Sequence, residues 1–299
     1  MRRRKRKKNV DGTIKAIVFI ICILGAVITY ASQDSNNVNE VTTQVNGTIL
    51  DAKGELFIYY FDVGQADSEL LINDGKTMLI DAGNNEDGEI LVNKIKELGI
   101  TKLDYVVGTH AHEDHIGGMD DIIENFEIGN VFLPEAISTS KTYEDVLDVI
   151  ANKNLEISVP EIGDEIIVGT AVCTVKSIEN NDNDLNNSSI VLRVVYGEKS
   201  FLFMGDLEES MEKKYVWEKT DVLKVGHHGS NTSSCEEFLN QVLPEISIIS
   251  VGESNSYNHP GEYALKRLNK INTQIYRTDE KGTIKLISDG DIITIETEK

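Results

Sequence analysis

Cysteine and positive charge are both scarce in this sequence. Three cysteines in 299 residues, Cys22, Cys173 and Cys235, cannot make a disulfide scaffold, and with Cys22 inside an apolar run at most one bridge is open to the chain. Cys173 in a strand-like run and Cys235 at a helix start are expected to be unpaired and to serve packing. Lys and Arg number 29 against 50 Asp and Glu, a formal net charge of -21. Eight of those bases (Arg2, Arg3, Arg4, Lys5, Arg6, Lys7, Lys8 and Lys15) lie in the first 31 residues beside one acid, Asp11, so the remainder carries 21 bases and 49 acids, or -28. A body that acidic repels polyanions at long range, which disfavours simple electrostatic capture of DNA unless bound metal or a local patch reverses the field. No internal repeat is visible, which favours one domain over an array. With 40% hydrophobic and 26% charged residues, the chain has enough apolar material for a core, and wholesale disorder is excluded.

The basic residues mark a targeting segment. Residues 1–12 read as a basic cytoplasmic segment, followed at 13–31 by an Ile- and Val-rich helix, uncharged from Ala16 to Ala31 with Lys15 at its cytoplasmic edge, that spans roughly the hydrocarbon thickness at about 1.5 Å per residue. Positive charge stays inside, so all that follows Ala31 is expected to be extracytoplasmic. The same segment reads alternatively as a cleavable signal peptide ending at Thr29-Tyr30-Ala31, in which case the domain is secreted; the anchor is the preferred reading. Residues 32–54 lose apolar periodicity and read as a flexible linker. A single domain is expected over 55–299.

Within it, 56–62, 68–73 and 76–81 read as adjacent strands joined by Gly and Asn-Asp-Gly turns. A helix at 89–98 closed by Gly99 leads to a buried strand at 103–109. Further helices are expected at 118–125, 142–153, 208–217, 234–243 and 261–270, with strands at 129–133, 172–178, 189–196, 199–204, 221–225, 246–251, 274–277, 283–288 and 291–296. Strands and helices mix throughout, which implies one α/β domain built on two mixed sheets.

Of six histidines, three fall within six residues, His110-Ala111-His112-Glu113-Asp114-His115, directly after a buried strand and before Gly117-Gly118. A loop at a strand end is aimed by a rigid sheet, which is where sites are built. Imidazole suits divalent zinc, iron or manganese, and the Asp adds a harder oxygen ligand for a second ion. Two such ions can clamp the attacking and leaving oxygens of a displacement. A solvated polar loop with incidental histidines is the bland alternative, and the spacing argues against it.

His110-x-His112-x-Asp114-His115 after a hydrophobic strand resembles the second motif of the metallo-β-lactamase fold, and Leu79-Ile80-Asp81-Ala82-Gly83 resembles the first. Phe61-Asp62-Val63-Gly64-Gln65-Ala66-Asp67-Ser68, Phe203-Met204-Gly205-Asp206-Leu207-Glu208, Lys224-Val225-Gly226-His227-His228-Gly229-Ser230 and Asn258-His259-Pro260, in that order, resemble the hydrolase domain of ComEC-type competence proteins, the DNA-uptake channel family. The match runs from about 56 to 296. A single N-terminal anchor replaces the many membrane helices of a pore, so this chain is not itself a channel.

The resemblance implies an αββα sandwich and two divalent ions, zinc or manganese. His110 and His112 would hold one, Asp114 and His115 the other, and Asp206 would bridge them. The fifth-motif ligand would be His227, with His228 as the other candidate. Asp81 would orient a ligand histidine. The family's usual third-motif histidine is missing, since no His lies between His115 and His227. Asn186 or Asn187 stands there as a metal or substrate contact, which tilts preference modestly toward harder ions.

Asp114 and His259 are the catalytic candidates, His259 as general acid or as a clamp on an anionic oxygen. Gln65 and Asp67 are expected to line the cleft. Together these imply a membrane-anchored, extracytoplasmic, metal-dependent hydrolase, with a phosphodiester, in DNA or in another polymer, as the leading substrate. A phosphocholine-esterase-like enzyme acting on cell-wall polymers and a non-catalytic metal-binding module of competence machinery are the competing readings.

Overall fold

The computed structural model describes residues 49–179 and 183–299. The basic segment, the apolar 13–31 run and most of the 32–54 linker lie outside the described residues. Among the described residues no helix is long and apolar enough to cross a membrane. The last linker residues do not behave as a tether. Ile49, Leu50 and Ala52 are apolar and pack against the domain core.

Along the chain come strands β1 (Leu56–Tyr60), β2 (Glu69–Asn73) and β3 (Lys76–Ile80), helix α1 (Gly88–Glu97), β4 (Lys102–Val107), the short α2 (Glu113–Ile116), α3 (Met119–Asn125), β5 (Glu127–Phe132), α4 (Lys141–Asn152) and β6 (Ile157–Ser158). Then follow β7 (Glu165–Val168), β8 (Ala171–Ser177), β9 (Val191–Tyr196), β10 (Lys199–Phe203), α5 (Glu209–Glu212), β11 (Val222–Lys224), α6 (Glu236–Val242), β12 (Ile246–Ile249), α7 (Glu262–Lys270), β13 (Gln274–Arg277), α8 (Thr278–Lys281), β14 (Ile284–Ser288) and β15 (Ile293–Thr297). They form an eight-stranded sheet, β15-β14-β1-β2-β3-β4-β5-β6, and a seven-stranded sheet, β13-β12-β11-β10-β9-β8-β7.

Both sheets are mixed for a local reason. Asp74 and Gly75, with φ of 48° and 76°, make the tight turn that folds β2 back on β3 as an antiparallel hairpin. Between β3 and β6 and between β10 and β13 the connections carry helices, and β3, β4, β5 and β6 pair in parallel, as do β10, β11, β12 and β13.

Alternation along β1 sets the layers. Leu56, Ile58 and Tyr60 enter a core shared with Val168, Cys173, Leu192 and Phe203 of the other sheet, while Phe57 and Tyr59 join Leu91, Ile95, Ile122 and Val146 of the helices. A third cluster joins Leu223 and Ile249 to Phe238, Leu239 and Leu268 of α6 and α7. The order is helices, sheet, sheet, helices, and burial on both faces explains why β1 reads as an unbroken apolar run. Cys173 and Cys235 are both buried and free.

Two expectations change length. The helix expected over 208–217 is only Glu209–Glu212, because Trp217 turns inward and its Nε1 donates to the Glu212 carbonyl at 2.7 Å. The unanticipated β6 and β7 are short edge strands of two and four residues.

Candidate metal centre

The loops that carry the motif residues leave the carboxyl ends of β3, β4, β10, β11 and β12, where open α/β sheets present their ligand sites. The loop after β4 is fixed first. Asp81, just past β3, accepts from Thr109 N at 2.7 Å and from Thr109 Oγ1 at 2.7 Å, and its Oδ2 lies 2.7 Å from His115 Nδ1. That places the expected orienting carboxylate on His115, holds the ring with Nδ1 as donor, and leaves Nε2 facing inward. Gly205, at φ +52°, turns the chain after β10 close beneath this loop. A Cβ there would come within 2.9 Å of Ser189 Oγ and 3.1 Å of Thr109 Cβ.

The turn delivers Asp206 between two sets of histidines. Its Oδ1 lies 3.2 Å from His115 Nε2 and 3.8 Å from His228 Nε2, and His228 Nε2 is 3.3 Å from Asp114 Oδ2. Its Oδ2 lies 3.9 Å from His110 Nε2 and 3.6 Å from His227 Nε2, and His110 Nε2 is 3.0 Å from His112 Nδ1. The two adjacent histidines diverge because both are left-handed, His227 at φ 51°, ψ 48° and His228 at φ 51°, ψ 27°. The structure therefore gathers Asp114, His115, Asp206 and His228 into one group whose ligand atoms lie within 4.8 Å of one another. His227 stands on the other side of Asp206 with His110 and His112. The sequence preference for His227 alone as the fifth-motif position gives way to a division of the pair.

These donors fit a cation. Asp206 Oδ1, His115 Nε2 and His228 Nε2 are buried and have no hydrogen-bond partner, an expensive arrangement unless a ligand satisfies them. The local field agrees. Burial would lower the pKa values of His115 and His228, yet the carboxylates of Asp206, Asp81 and Asp114 hold His115 well above its usual range, and those of Asp67, Asp206 and Asp114 push His228 up to about 10. Burial would raise Asp206, but the positive charge of His115 and His228 holds it well below the carboxylate range. His110, deeper and beside His115, is held well below its ordinary value, first by burial.

The remaining candidates separate. Asn187 is buried and engaged, its Nδ2 donating to Asp184 at 2.5 Å and its Oδ1 accepting from Glu208 N at 3.1 Å. That leaves its amide oxygen committed to the backbone. Asn186 instead lines the cavity over the site, a space of about 710 Å³, with its Oδ1 unpartnered. Gln65 Oε1 accepts from Gly252 N at 3.2 Å, which turns its Nε2 toward His259 Nδ1 at 3.3 Å. His259 therefore carries its proton on Nε2, and burial, then the neighbouring charge of His228 and His227, pushes its pKa down to about 4. A neutral N–H donor of this kind fits the expected clamp better than the expected general acid.

Asp67 does not line the cleft. It lies 1% exposed beneath it, its Oδ2 2.6 Å from Lys224 Nζ and its Oδ1 3.1 Å from His228 Nδ1, which is also 3.1 Å from the Ser250 carbonyl. Burial would raise Asp67, but Lys224 and then His228 bring it to about 2. Sequence reasoning missed Lys224 and Glu208. Glu208 Oε1 lies 3.3 Å from His227 Nδ1 and accepts from Thr232 Oγ1 at 2.8 Å, giving His227 a carboxylate backing like the one Asp81 gives His115. A lysine in the otherwise apolar strand Val222–Lys224 and a glutamate two residues beyond Asp206 were the available signals.

A profile of the metallo-beta-lactamase superfamily matches residues 61–173 and 183–253. This chain belongs to that superfamily. Its relatives include ComE operon protein 3 of Bacillus subtilis (strain 168), 34% identical over 202 residues, 66% of this chain and 26% of that protein. Competence protein ComA of Neisseria gonorrhoeae is 30% identical over 241 residues, 78% of this chain and 32% of that protein. Recombination protein 2 of Haemophilus influenzae is 29% identical over 233 residues, 75% and 28%. The ComEC-type resemblance is thus matched by competence proteins, of which this chain spans about a third or less. Among solved structures, the metallo-beta-lactamase fold protein YhfI from Bacillus subtilis aligns with a TM-score of 0.50 at 11% identity, covering 81% of this chain and 100% of that one. CmlA, a diiron beta-hydroxylase from Streptomyces venezuelae, aligns with a TM-score of 0.50 at 14% identity, covering 76% and 53%. Those two likenesses concern the fold alone.

Proposed function

We propose that this member of the superfamily is a membrane-anchored, extracytoplasmic hydrolase that uses two divalent ions, zinc or manganese, to cleave a phosphodiester. The observation that carries the reading is the convergence of the unpartnered, buried Asp206 Oδ1, His115 Nε2 and His228 Nε2, with Asp206 and His228 lining a cavity of about 710 Å³. One ion would be held by Asp114, His115, Asp206 and His228, the other by His110, His112, His227 and the second oxygen of Asp206. Divalent ions there supply Lewis acidity and charge stabilisation for displacement at phosphorus. The chain's own groups do the rest. Asp81 and Glu208 fix the rings of His115 and His227, Gln65 holds His259 with Nε2–H free to donate to an anionic oxygen, and Asn186 lines the cavity with its buried Oδ1 unpartnered.

DNA is the second reading of the substrate, favoured by the names of the competence relatives. The test is hydrolysis of bis-p-nitrophenyl phosphate by the purified chain with added manganese or zinc. Turnover that disappears on chelation and returns with metal supports the hydrolase. Full metal loading without turnover on any diester would favour a metal-binding accessory module.

A further inference from the structure

We infer that the phosphodiester taken by this site carries a cationic arm, an ammonium or quaternary ammonium group, and is not a nucleic-acid strand. The inference rests on the hydrolase reading above and narrows its substrate. Among the described residues no Lys or Arg lines the cavity, whereas Asp62, Glu86, Asp87 and Glu113 line it outside the group proposed to hold ions. Hydrogen bonds hold two of these as acceptors. Asp87 Oδ2 takes Asn84 N and Nδ2, each at 2.8 Å, and Glu113 Oε1 takes Asn85 N at 3.0 Å. Asp62 is partly neutralised by Lys299 Nζ at 3.2 Å, and Glu86 stands exposed. Proteins that track a nucleic-acid strand line its path with Lys and Arg, one contact per neutralised phosphate. Here one phosphate could be matched at the floor, but the phosphates on either side of it would meet carboxylates with no cation to hold them.

The same rim suits a positive group. Tyr257 is 67% exposed at the cavity, its ring stacked on His259 at 5.7 Å between centroids and 25° between planes. It lines the same cavity as the four carboxylates. An aromatic face with acidic neighbours is the recognised chemistry for ammonium and quaternary ammonium ligands. Below it, the buried, unpartnered His228 Nε2 and Asp206 Oδ1 mark where the reacting centre belongs.

The test compares the full chain, loaded with manganese or zinc, on p-nitrophenyl phosphocholine and on thymidine 5′-(p-nitrophenyl phosphate). Binding of phosphocholine and of tetramethylammonium is followed by calorimetry with and without chelator. The choline ester should exceed the thymidine ester at least tenfold in kcat/KM. Tetramethylammonium should bind with or without metal, since the rim and not the floor holds it. Tyr257→Ala and Glu86→Gln should each weaken that binding several-fold and shrink the preference between esters. Equal or greater turnover of the thymidine ester, or tetramethylammonium binding unmoved by both substitutions, would overturn the inference and leave the hydrolase standing. Hydrolysis of neither ester in fully loaded protein would remove the hydrolase reading itself, and with it this narrowing of its substrate.

Discussion

Asp206 Oδ1 lies 3.2 Å from His115 Nε2, and both atoms are buried without a hydrogen-bond partner. A carboxylate placed this way is a shared anionic ligand in waiting, so its loss should be felt in metal content and stability together. Asp206→Asn keeps the volume and removes the charge. Elemental analysis after loading with manganese or zinc should show the wild type taking up metal and the variant losing most of it. Chelator should lower the melting temperature of the wild type and leave the variant unmoved. His259→Ala should differ, keeping metal and melting temperature while turnover falls by roughly a hundred- to thousand-fold, the loss of one N–H donor to the transition state. Metal content below a tenth of an ion per wild-type chain would rule out the centre.

The division of His227 from His228 can be checked by stoichiometry. His228 Nε2 faces Asp114 and Asp206 Oδ1, while His227 Nε2 faces Asp206 Oδ2 on the side of His110. Each single alanine variant should therefore keep one ion of two, and the double variant neither. Glu208→Gln should weaken the ion on the His227 side by about 10- to 100-fold, as expected when the group backing a ligand histidine is altered. Two full ions in His227→Ala would return that residue to a substrate or orienting role.

Much of this was legible from local patterns. The layered α/β fold follows from apolar runs and turn residues that each act within a few positions. The cluster from His110 to His115 announces itself because one loop holds it. What the sequence could not display are pairings across long separations. Lys224 meets Asp67 across 157 positions, and Asp81 meets His115 across 34. The fates of Asn186 and Asn187 turn on which amide the 3₁₀ turn buries, and those of His227 and His228 on two consecutive left-handed residues. Spacing alone carries no sign of either.

The Lys224–Asp67 pair predicts a large stability effect. Both side chains are 1% exposed, and Glu69, held well above its usual range by burial and then by Asp67, lies beside them with Oε1 3.9 Å from Lys224 Nζ. Lys224→Met takes the ammonium from the buried Asp67 carboxylate and leaves it His228 alone, which costs about 3–5 kcal/mol. Urea unfolding should show this, and adding Asp67→Asn should recover a substantial part, since the stranded charge and not the lost lysine is the main penalty. A Lys224→Met midpoint equal to wild type would mean that Asp67 takes up a proton at little cost.

Glu212 gives the pH dependence. The last residue of α5, it is buried against the N-terminal end of α6, its two oxygens accepting from Ser234 N at 2.5 Å and Cys235 N at 2.7 Å, and burial outweighs these bonds to raise its pKa to about 7. A carboxyl whose folded pKa exceeds its unfolded value near 4.5 binds its proton more tightly in the folded state. The stability it contributes is full below the unfolded value and is lost as pH rises through about 7. Glu212→Gln cannot ionise and lacks this slope. Between pH 5 and pH 8 the wild type should therefore lose stability relative to Glu212→Gln, most steeply between about pH 5 and 6.5, midway between the unfolded and folded values, and level off above about pH 7.5, as measured by urea midpoints at each pH. Parallel curves for the two proteins would show that Glu212 is already ionised at pH 5 and that its two backbone donors, with Arg267 nearby, outweigh its burial.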